Sequence, residues 1–214
     1  MTQRERIVEQ ASQMFVRQGI KAVRMDDIAH ALGVSKRTLY ELFGDKEELL
    51  TLSIVRFFRE RRERHAEIAA GTSDVLEALF VVLNEILNTS ATAGRLLANL
   101  KKFYPAVYAR VMRDGEDYNS RCFREMLEKG IADGLFIAGF NIDLAISVLY
   151  YTASGLMDNR DRIVPPGMNE REAFIQLISC FFRGIATQRG LALVDEYARR
   201  CRLSLQSNTE RVNE

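Results

Sequence analysis

The stretch Arg24–Lys46 reads RMDDIAHALGVSKRTLYELFGDK, and its pattern decides the fold. An apolar-periodic segment over 25–32 stops at Gly33, a residue that adopts the left-handed backbone conformation without strain. Ser35 then has the spacing of a helix N-cap, so that a second short helix is predicted over 36–43. Two short helices joined by a tight turn are typical of a helix-turn-helix, which places its second helix in the major groove of DNA.

The second of these helices has one apolar side and one polar side. On a helical wheel Leu39, Leu42 and Phe43 share the apolar side, whereas Arg37 and Glu41 lie opposite. Eight residues span about 12 Å, which matches a major groove about 12 Å wide. Glu41 either accepts a hydrogen bond from a cytosine amino group or faces solvent, and repulsion by phosphates favours solvent.

Helices are also predicted on both sides of this stretch. Thr2 and Glu5 have capping-box spacing, which predicts a first helix over about 3–18 that ends at Gly19. A fourth, long helix over about 46–70 is expected to connect the DNA-binding part to the rest of the chain. Seven further helices are predicted, over about 74–88, 92–103, 105–114, 116–133, 141–162, 170–189 and 191–203.

The predicted fold class is therefore all-α. It consists of an N-terminal three-helix, homeodomain-like helix-turn-helix domain and a C-terminal helical bundle for ligand binding and dimerisation. In residue numbers we predict the DNA-binding domain over 1–47, the connecting helix over 46–70, the ligand-binding and dimerisation domain over 71–203, and a disordered polar tail over 204–214.

Composition excludes several classes of protein. The 214 residues carry a net charge of +1, so that any basic surface must be local. Three cysteines, Cys122, Cys180 and Cys201, lie far apart, which excludes a zinc-finger spacing and fits a reducing cytoplasm. Neither His30 nor His65 has neighbours at metal-ligand spacing, and no catalytic or dinucleotide motif occurs. We expect no metal, no cofactor and no enzymatic activity. We also expect no signal peptide and no membrane span, because no apolar run has the required length.

The first fifty residues resemble the tetracycline-repressor (TetR) family of bacterial transcriptional regulators. The positions that carry the resemblance are Ala11, Phe15, Gly19, Asp27-Ile28-Ala29, Gly33-Val34-Ser35, Thr38-Leu39-Tyr40, Phe43 and Lys46-Glu47-Glu48-Leu49. Beyond them the chain matches the family only in length and helical layout. Three positions depart from the family's pattern: Arg24 replaces a capping Thr or Ser, Arg37 replaces Gly, and Leu42 replaces His.

The resemblance implies a set of DNA-binding residues. These are Arg24, Met25, Lys36, Arg37, Thr38, Tyr40 and Lys46. Lys46 is expected to meet a phosphate, and the arginines and lysines are chemically suited to guanine edges or phosphates. The expected partners are double-stranded DNA, a second copy of the chain and an unknown small-molecule effector.

A cluster of aromatic and methionine side chains is the candidate effector pocket. Its members are Phe80, Phe103, Tyr104, Tyr108, Met112, Tyr118, Phe123 and Met126. Aromatic stripes most often form ordinary core, but the tyrosine hydroxyls and the resemblance favour a pocket. Such a pocket suits a largely apolar molecule with few polar anchors.

Two later helices are apolar on more than one side, which predicts a second subunit against them. The candidate dimer-interface residues are Val148, Tyr151, Thr152, Gly155, Phe174, Leu177, Ile178, Phe181, Phe182 and Ile185. The expected arrangement is a two-fold dimer in which the helices over 141–162 and 170–189 pair as a four-helix bundle.

The sequence thus favours a cytoplasmic, ligand-responsive bacterial repressor that binds a pseudo-palindromic operator as a dimer. Two alternatives stay open. One is a small-molecule-binding or enzymatic helical bundle whose N-terminal hairpin is only structural. The other is a DNA-binding protein that has no effector.

Overall fold

The computed structural model describes residues 1–158 and 160–210, and the all-α prediction is confirmed in that part of the chain. The helices there are α1 (Gln3–Gln18), α2 (Met25–Leu32), α3 (Lys36–Phe43), α4 (Lys46–Ala70), α5 (Val75–Phe103), α6 (Pro105–Ala132), α7 (Ile142–Asp158), α8 (Arg160–Ile163), α9 (Glu170–Ile185) and α10 (Gln188–Glu210). An isolated antiparallel bridge joins Phe136 to Ala186.

The chain divides into two compact units. The first unit contains Met1–Ala66 and Asn88–Tyr118, and the second contains Glu67–Leu87 and the chain from Asn119 onward. This division differs from the predicted boundaries, because the end of α5 and the start of α6 belong to the first unit. Their buried side chains complete the same apolar core as α1–α4, and they are Leu96, Leu100, Val107 and Val111. Local periodicity cannot reveal such a long-range association.

The first four helices surround one apolar core. Its fully buried members include Ile7, Ala11, Phe15, Ile28, Leu39, Leu49, Leu50 and Ile54. The predicted capping box at the start of α1 is present: the Glu5 N–H donates to Thr2 Oγ1 at 3.2 Å, and the Thr2 N–H donates to Glu5 Oε2 at 2.7 Å. Leu39 and Phe43, from the predicted apolar side of α3, lie in this core, since helices with one apolar stripe must bury that stripe against each other.

Helices α5 and α6 are longer than predicted. The expected breaks near 88–92 and 114–116 are absent, and only the break before Pro105 occurs. Asn88-Thr89-Ser90 and Gly115 are weak helix formers, but each costs at most about 1 kcal/mol relative to Ala. Packing of the neighbouring turns outweighs that cost.

The last part of the chain differs from the prediction in two ways. Helix α9 ends at Ile185, because the Ile137 N–H donates to the Ile185 carbonyl at 2.8 Å and the Thr187 N–H donates to the Leu135 carbonyl at 2.9 Å. Helix α10 continues to Glu210, so that most of the predicted tail is helical. Residues 211–214 of that tail lie outside the described residues.

Helix α5 is, within the described ranges, the one helix long and apolar enough to cross a membrane by length and composition. A single helix of this kind is weak evidence for a membrane span. It carries Asn84, Glu85 and Arg95, and apolar residues from its two ends belong to two separate cores.

Candidate nucleic-acid interface

Three local features build the α2–turn–α3 hairpin. The Arg24 N–H donates to the Asp27 carboxylate at 2.8 Å, which fixes the start of α2. Gly33 has φ +64°, the left-handed conformation that ends α2 and opens the turn. Ser35 Oγ accepts the Thr38 N–H at 3.0 Å and thereby caps α3. Short-range interactions that the sequence encodes directly thus fix both ends of α2 and the start of α3.

Helix α3 presents a distinct outer face. Leu39 and Phe43 are buried beneath it, with 0% and 4% of their surface exposed. Arg37 points outward with 87% of its side chain exposed, and Tyr40 is also exposed. This confirms the wheel that placed Arg37 opposite the apolar side. An eight-residue helix with an outward arginine and tyrosine is suited to a DNA groove.

Both α3 cations have an acidic partner on the same hairpin. Lys36 Nζ lies 2.8 Å from Asp26 Oδ1, and this hydrogen bond raises the pKa of Lys36. Arg37 Nε lies 2.7 Å from Glu41 Oε1, one turn further along α3. Because all four side chains are at least half exposed, salt screens both pairs and they contribute little to the stability of the fold.

Lys46 differs from its prediction. Its Nζ is turned inward and donates to the Ile20 carbonyl at 2.8 Å, instead of projecting towards solvent. The ammonium also lies 6.0 Å from the ring centroids of Phe15 and Tyr104. Burial lowers the pKa of Lys46. In this arrangement the half-buried Lys46 joins the α1–α2 connection to α4, and its ammonium points inward.

Met25 also differs from its prediction as a side-chain contact. It is 95% buried, because it shares the inward face of α2 with Ile28 and Ala29 at helical spacing. Only its backbone amide, in the first turn of α2, remains suited to a phosphate. The exposed neighbour Arg24 and the half-buried Thr38 remain candidates for backbone contacts.

Sequence reasoning missed Arg4. Its guanidinium carbon lies 5.3 Å from the centroid of the Phe43 ring, which brings an exposed cation beside the end of α3. Nothing in the local pattern signals this position, because it depends on how α1 crosses α3. The ion pair between Lys36 and Asp26, ten residues apart in sequence, could not be predicted for the same reason.

The candidate effector residues are divided between the two units. Phe103, Tyr104, Tyr108, Met112 and Tyr118 belong to the first unit, and Phe80, Phe123 and Met126 belong to the second. Most of them pack against an apolar core, which is the ordinary structural role considered above. The ring of Phe103 lies beneath Lys21 at 4.9 Å, and the ring of Tyr118 lies beneath Arg62 at 4.9 Å.

A small cavity occurs elsewhere, within the second unit. Its lining comes from α5, α9 and α10 and consists of Phe80, Leu83, Asn84, Leu87, Phe174, Ile175, Ile178 and Cys201. Of the predicted pocket residues only Phe80 lines it. The volume is about 10 Å³, roughly the space that one water requires. Arg171 donates to Asn84 at its edge, and burial lowers the pKa of that guanidinium.

The candidate dimer residues fall into two groups. Phe174, Ile178 and Phe182 are buried in the core of their own unit, with 8%, 2% and 0% exposed, so that they differ from the prediction and are unavailable to a second subunit. Val148 and Tyr151 on α7 are exposed by 46% and 70%. The half-buried members are Thr152, Gly155, Leu177, Phe181 and Ile185.

Leu144 was not predicted, yet it is 63% exposed and extends the α7 row by one turn. Leu144, Val148 and Tyr151 have the i, i+4, i+7 spacing of a single helical face. An apolar row of this kind on α7 is the strongest remaining candidate for contact with a second copy of the chain.

In the part of the chain that the structure describes, no group of three or more His, Cys, Asp or Glu residues is placed to hold a metal ion. Cys122 and Cys180 are exposed thiols. The outer face of α2–α3, which presents Arg37 and Tyr40, is the principal candidate site.

Known proteins share this architecture and this N-terminal segment. The sequence model described as "Bacterial regulatory proteins, tetR family" matches residues 7–51, which run from α1 into α4. The chain is 28% identical over 160 residues to the HTH-type transcriptional repressor KstR2 of Rhodococcus jostii, covering 70% of this chain and 76% of that protein.

Solved structures extend the likeness to the whole fold. A transcriptional regulator from Cytophaga hutchinsonii matches with a TM-score of 0.72 at 19% identity, over 86% of this chain and 98% of that one. A transcriptional regulator from Saccharomonospora viridis, solved in complex with choline, matches with a TM-score of 0.63 at 21% identity over the same shares. At these identities the structural match concerns the fold alone.

Proposed function

We propose that the chain, whose residues 7–51 match the model of the tetR family of bacterial regulatory proteins, is a ligand-responsive transcriptional repressor. It binds a pseudo-palindromic operator as a homodimer. The observation that carries the proposal is the capped α2–turn–α3 hairpin, whose outer face presents Arg37 above a fully buried Leu39. A regulator of this kind acts on the chromosome, in the cytoplasm, and requires no catalytic step.

Each exposed residue of the hairpin has a distinct proposed role. Arg37 enters the major groove and contacts base edges, for which a guanidinium is well suited. Lys36 at the start of α3 and Arg24 at the start of α2 contact phosphates on either side of the groove. Thr38 and Tyr40 offer hydroxyls to phosphate oxygens. Phosphate contacts fix the register of the helix, and base contacts select the sequence.

The amide-bearing ends of α2 and α3 support the same orientation. The N-terminus of a helix carries a partial positive charge and unpaired N–H groups. Both N-termini are held by short-range caps at Arg24 and Ser35, so that their direction is fixed before DNA binds. Preformed amides of this kind supplement a chain whose net charge is only +1.

Dimerisation is proposed to use the exposed row on α7. A two-fold interface places the same row from each subunit side by side, so that Leu144, Val148 and Tyr151 are covered. Because these side chains are between 46% and 70% exposed in the single chain, burying them contributes about 1–2 kcal/mol each. The half-buried side chains of Leu177 and Phe181 on α9 extend the proposed interface. The dimer then presents two copies of α3 to major grooves about 34–36 Å apart.

The effector is proposed to be a small, largely apolar molecule. The small cavity of the second unit is lined mainly by apolar side chains, among them Phe80, Leu83 and Phe174, and a protein of the same fold was solved in complex with a small molecule, choline. An effector that releases DNA must bind the DNA-free conformation more tightly. Coupling of this kind is reciprocal and typically amounts to about 1–3 kcal/mol.

Footprinting on the DNA upstream of the protein's own gene tests the proposal. Saturable protection of a short, two-fold symmetric site that candidate ligands remove is the expected result. Protection that no ligand changes favours a DNA-binding protein without an effector. The absence of any site-specific protection, at protein concentrations where the fold is intact, contradicts the proposed function and favours a helical bundle with another activity.

A further inference from the structure

The ion pair between Arg37 and Glu41 has a specific geometry. Glu41 Oε1 accepts from Nε of Arg37 at 2.7 Å, one helical turn towards the C-terminus of α3. Nε is the inner donor of the guanidinium. That bond uses the Nε edge, and the side chain is 87% exposed, so that the two terminal nitrogens can meet a partner outside the protein.

The outward edge of such a guanidinium matches one DNA feature well. Two parallel N–H donors fit the O6 and N7 acceptors of guanine, which is the commonest specific contact in the major groove. A phosphate can also accept two parallel N–H bonds from an arginine, but a phosphate that approaches Arg37 also approaches the Glu41 carboxylate, which repels it. The ion pair with Glu41 thus restricts the directions from which a hydrogen-bond acceptor can reach the Arg37 guanidinium.

The negative charge of Glu41 also disfavours contact between Arg37 and phosphates. An arginine next to a carboxylate attracts phosphates weakly, and the carboxylate itself repels them. Attraction to phosphates is the part of DNA binding that does not depend on sequence. Weaker attraction to phosphates at the centre of α3 lowers the affinity for every random site and leaves the base contact available. Specificity then arises from repulsion as well as from attraction.

We propose that Glu41 is a specificity-determining residue that acts through Arg37. It holds Nε, directs the terminal nitrogens to a guanine edge and opposes contact between Arg37 and phosphates. The inference rests on the proposed function and gives Glu41 a role in place of the solvent-facing one expected from the sequence. It requires no contact between Glu41 and a base.

The test uses Glu41→Gln, which keeps the shape of the side chain and removes its charge. Fluorescence anisotropy measures binding of the full-length protein to a footprinted operator, to operators with single base-pair changes, and to a random duplex. We expect affinity for random DNA to rise about fivefold. We expect discrimination against the changed guanine position to fall about tenfold.

Two further variants isolate the mechanism. Glu63→Gln removes the same charge from an exposed position on α4, 17 residues or about 26 Å along the helix from Lys46, and is expected to leave discrimination unchanged. In an Arg37→Ala background, Glu41→Gln is expected to have no effect on discrimination. All three residues are exposed, so that circular dichroism should report an intact fold.

The outcomes separate the inference from the proposed function. If the wild-type protein discriminates between sequences and Glu41→Gln discriminates equally well, the inference is overturned and the proposed function stands. If Glu41→Gln lowers discrimination to the same extent with and without Arg37, Glu41 contacts a base directly, and the inference is again overturned. If the wild-type protein binds all duplexes alike, the proposed function itself fails.

Discussion

Replacing Lys46 with Met distinguishes an internal role for this lysine from a role at the DNA surface. The ammonium donates to the Ile20 carbonyl at 2.8 Å, and Ile20 is 99% buried. Removing this donor leaves the buried Ile20 carbonyl without it, which costs about 1–3 kcal/mol, and also removes the unfavourable burial of the ammonium. Because water reaches part of the Lys46 side chain, a loss of about 1–2 kcal/mol in the free energy of unfolding is expected. Methionine retains the apolar stem, so that packing changes little.

The matched control is Lys36→Met, which removes an exposed lysine from the same hairpin. We expect Lys36→Met to leave the free energy of unfolding nearly unchanged. In DNA binding we expect Lys36→Met to have the larger effect of the two variants. It lowers the slope of log affinity against log salt by about 2 per dimer, because each subunit loses one phosphate contact. Lys46→Met leaves that slope unchanged. Urea denaturation and anisotropy at several salt concentrations measure both quantities.

The pH dependence of the same variant provides a second readout. Burial lowers the pKa of Lys46 in the folded protein below its usual value of 10.5. At a pH between the pKa of Lys46 in the folded protein and its pKa in the unfolded chain, the unfolded chain binds more protons than the folded protein. The free energy of unfolding of the wild type therefore rises with pH in this range. Lys46→Met lacks this rise. A Lys46→Met variant that was as stable as the wild type and had a lower salt slope would show that Lys46 contacts a phosphate. That result would contradict the internal role of Lys46.

Three further predictions concern the two units. Gly33→Ala is expected to lower the free energy of unfolding by about 1–2 kcal/mol, because φ is +64° there, whereas Gly94→Ala in the middle of α5 is expected to raise it by about 0.5–1 kcal/mol; urea denaturation measures both. Tyr151→Asp introduces a carboxylate into the exposed α7 row and is expected to convert the dimer into a monomer, which sedimentation measures. Leu191→Asp, at another exposed position, is expected to leave the dimer intact. A Tyr151→Asp variant that stays dimeric would contradict the proposed interface. Asp74→Ala removes a carboxylate that accepts two N–H bonds at the start of α5, both at 2.9 Å, and a tyrosine hydroxyl at 2.7 Å, and a loss of about 2 kcal/mol is expected in thermal denaturation.

The local pattern of α1–α3 was sufficient to predict the hairpin. Thr2, Gly33 and Ser35 cap helices through interactions that span at most a few residues, and their side-chain chemistry is specific. The buried Leu39 and the outward Arg37 follow from the period of a helix. For this part of the chain, sequence and structure agree because short-range rules dominate.

Features that depend on distant contacts could not be predicted in the same way. The inward position of Lys46 requires the Ile20 carbonyl, 26 residues away, and the ring of Tyr104. The continuity of α5 and α6 depends on cores at both of their ends. Similarly, Phe182 has the apolar character of an interface residue, but only the packing of its unit reveals that it belongs to the internal core.

Selection of bound sequences from a random DNA library tests the central claim most directly. The full-length protein is expected to enrich one motif with two inverted half-sites whose centres lie about one helical turn apart. Arg37→Ala, carried through the same selection, should lose preference at the guanine positions of each half-site while still retaining DNA. A library that emerges without an enriched motif, from protein that is folded and dimeric, would contradict sequence-specific DNA binding by the α2–α3 hairpin.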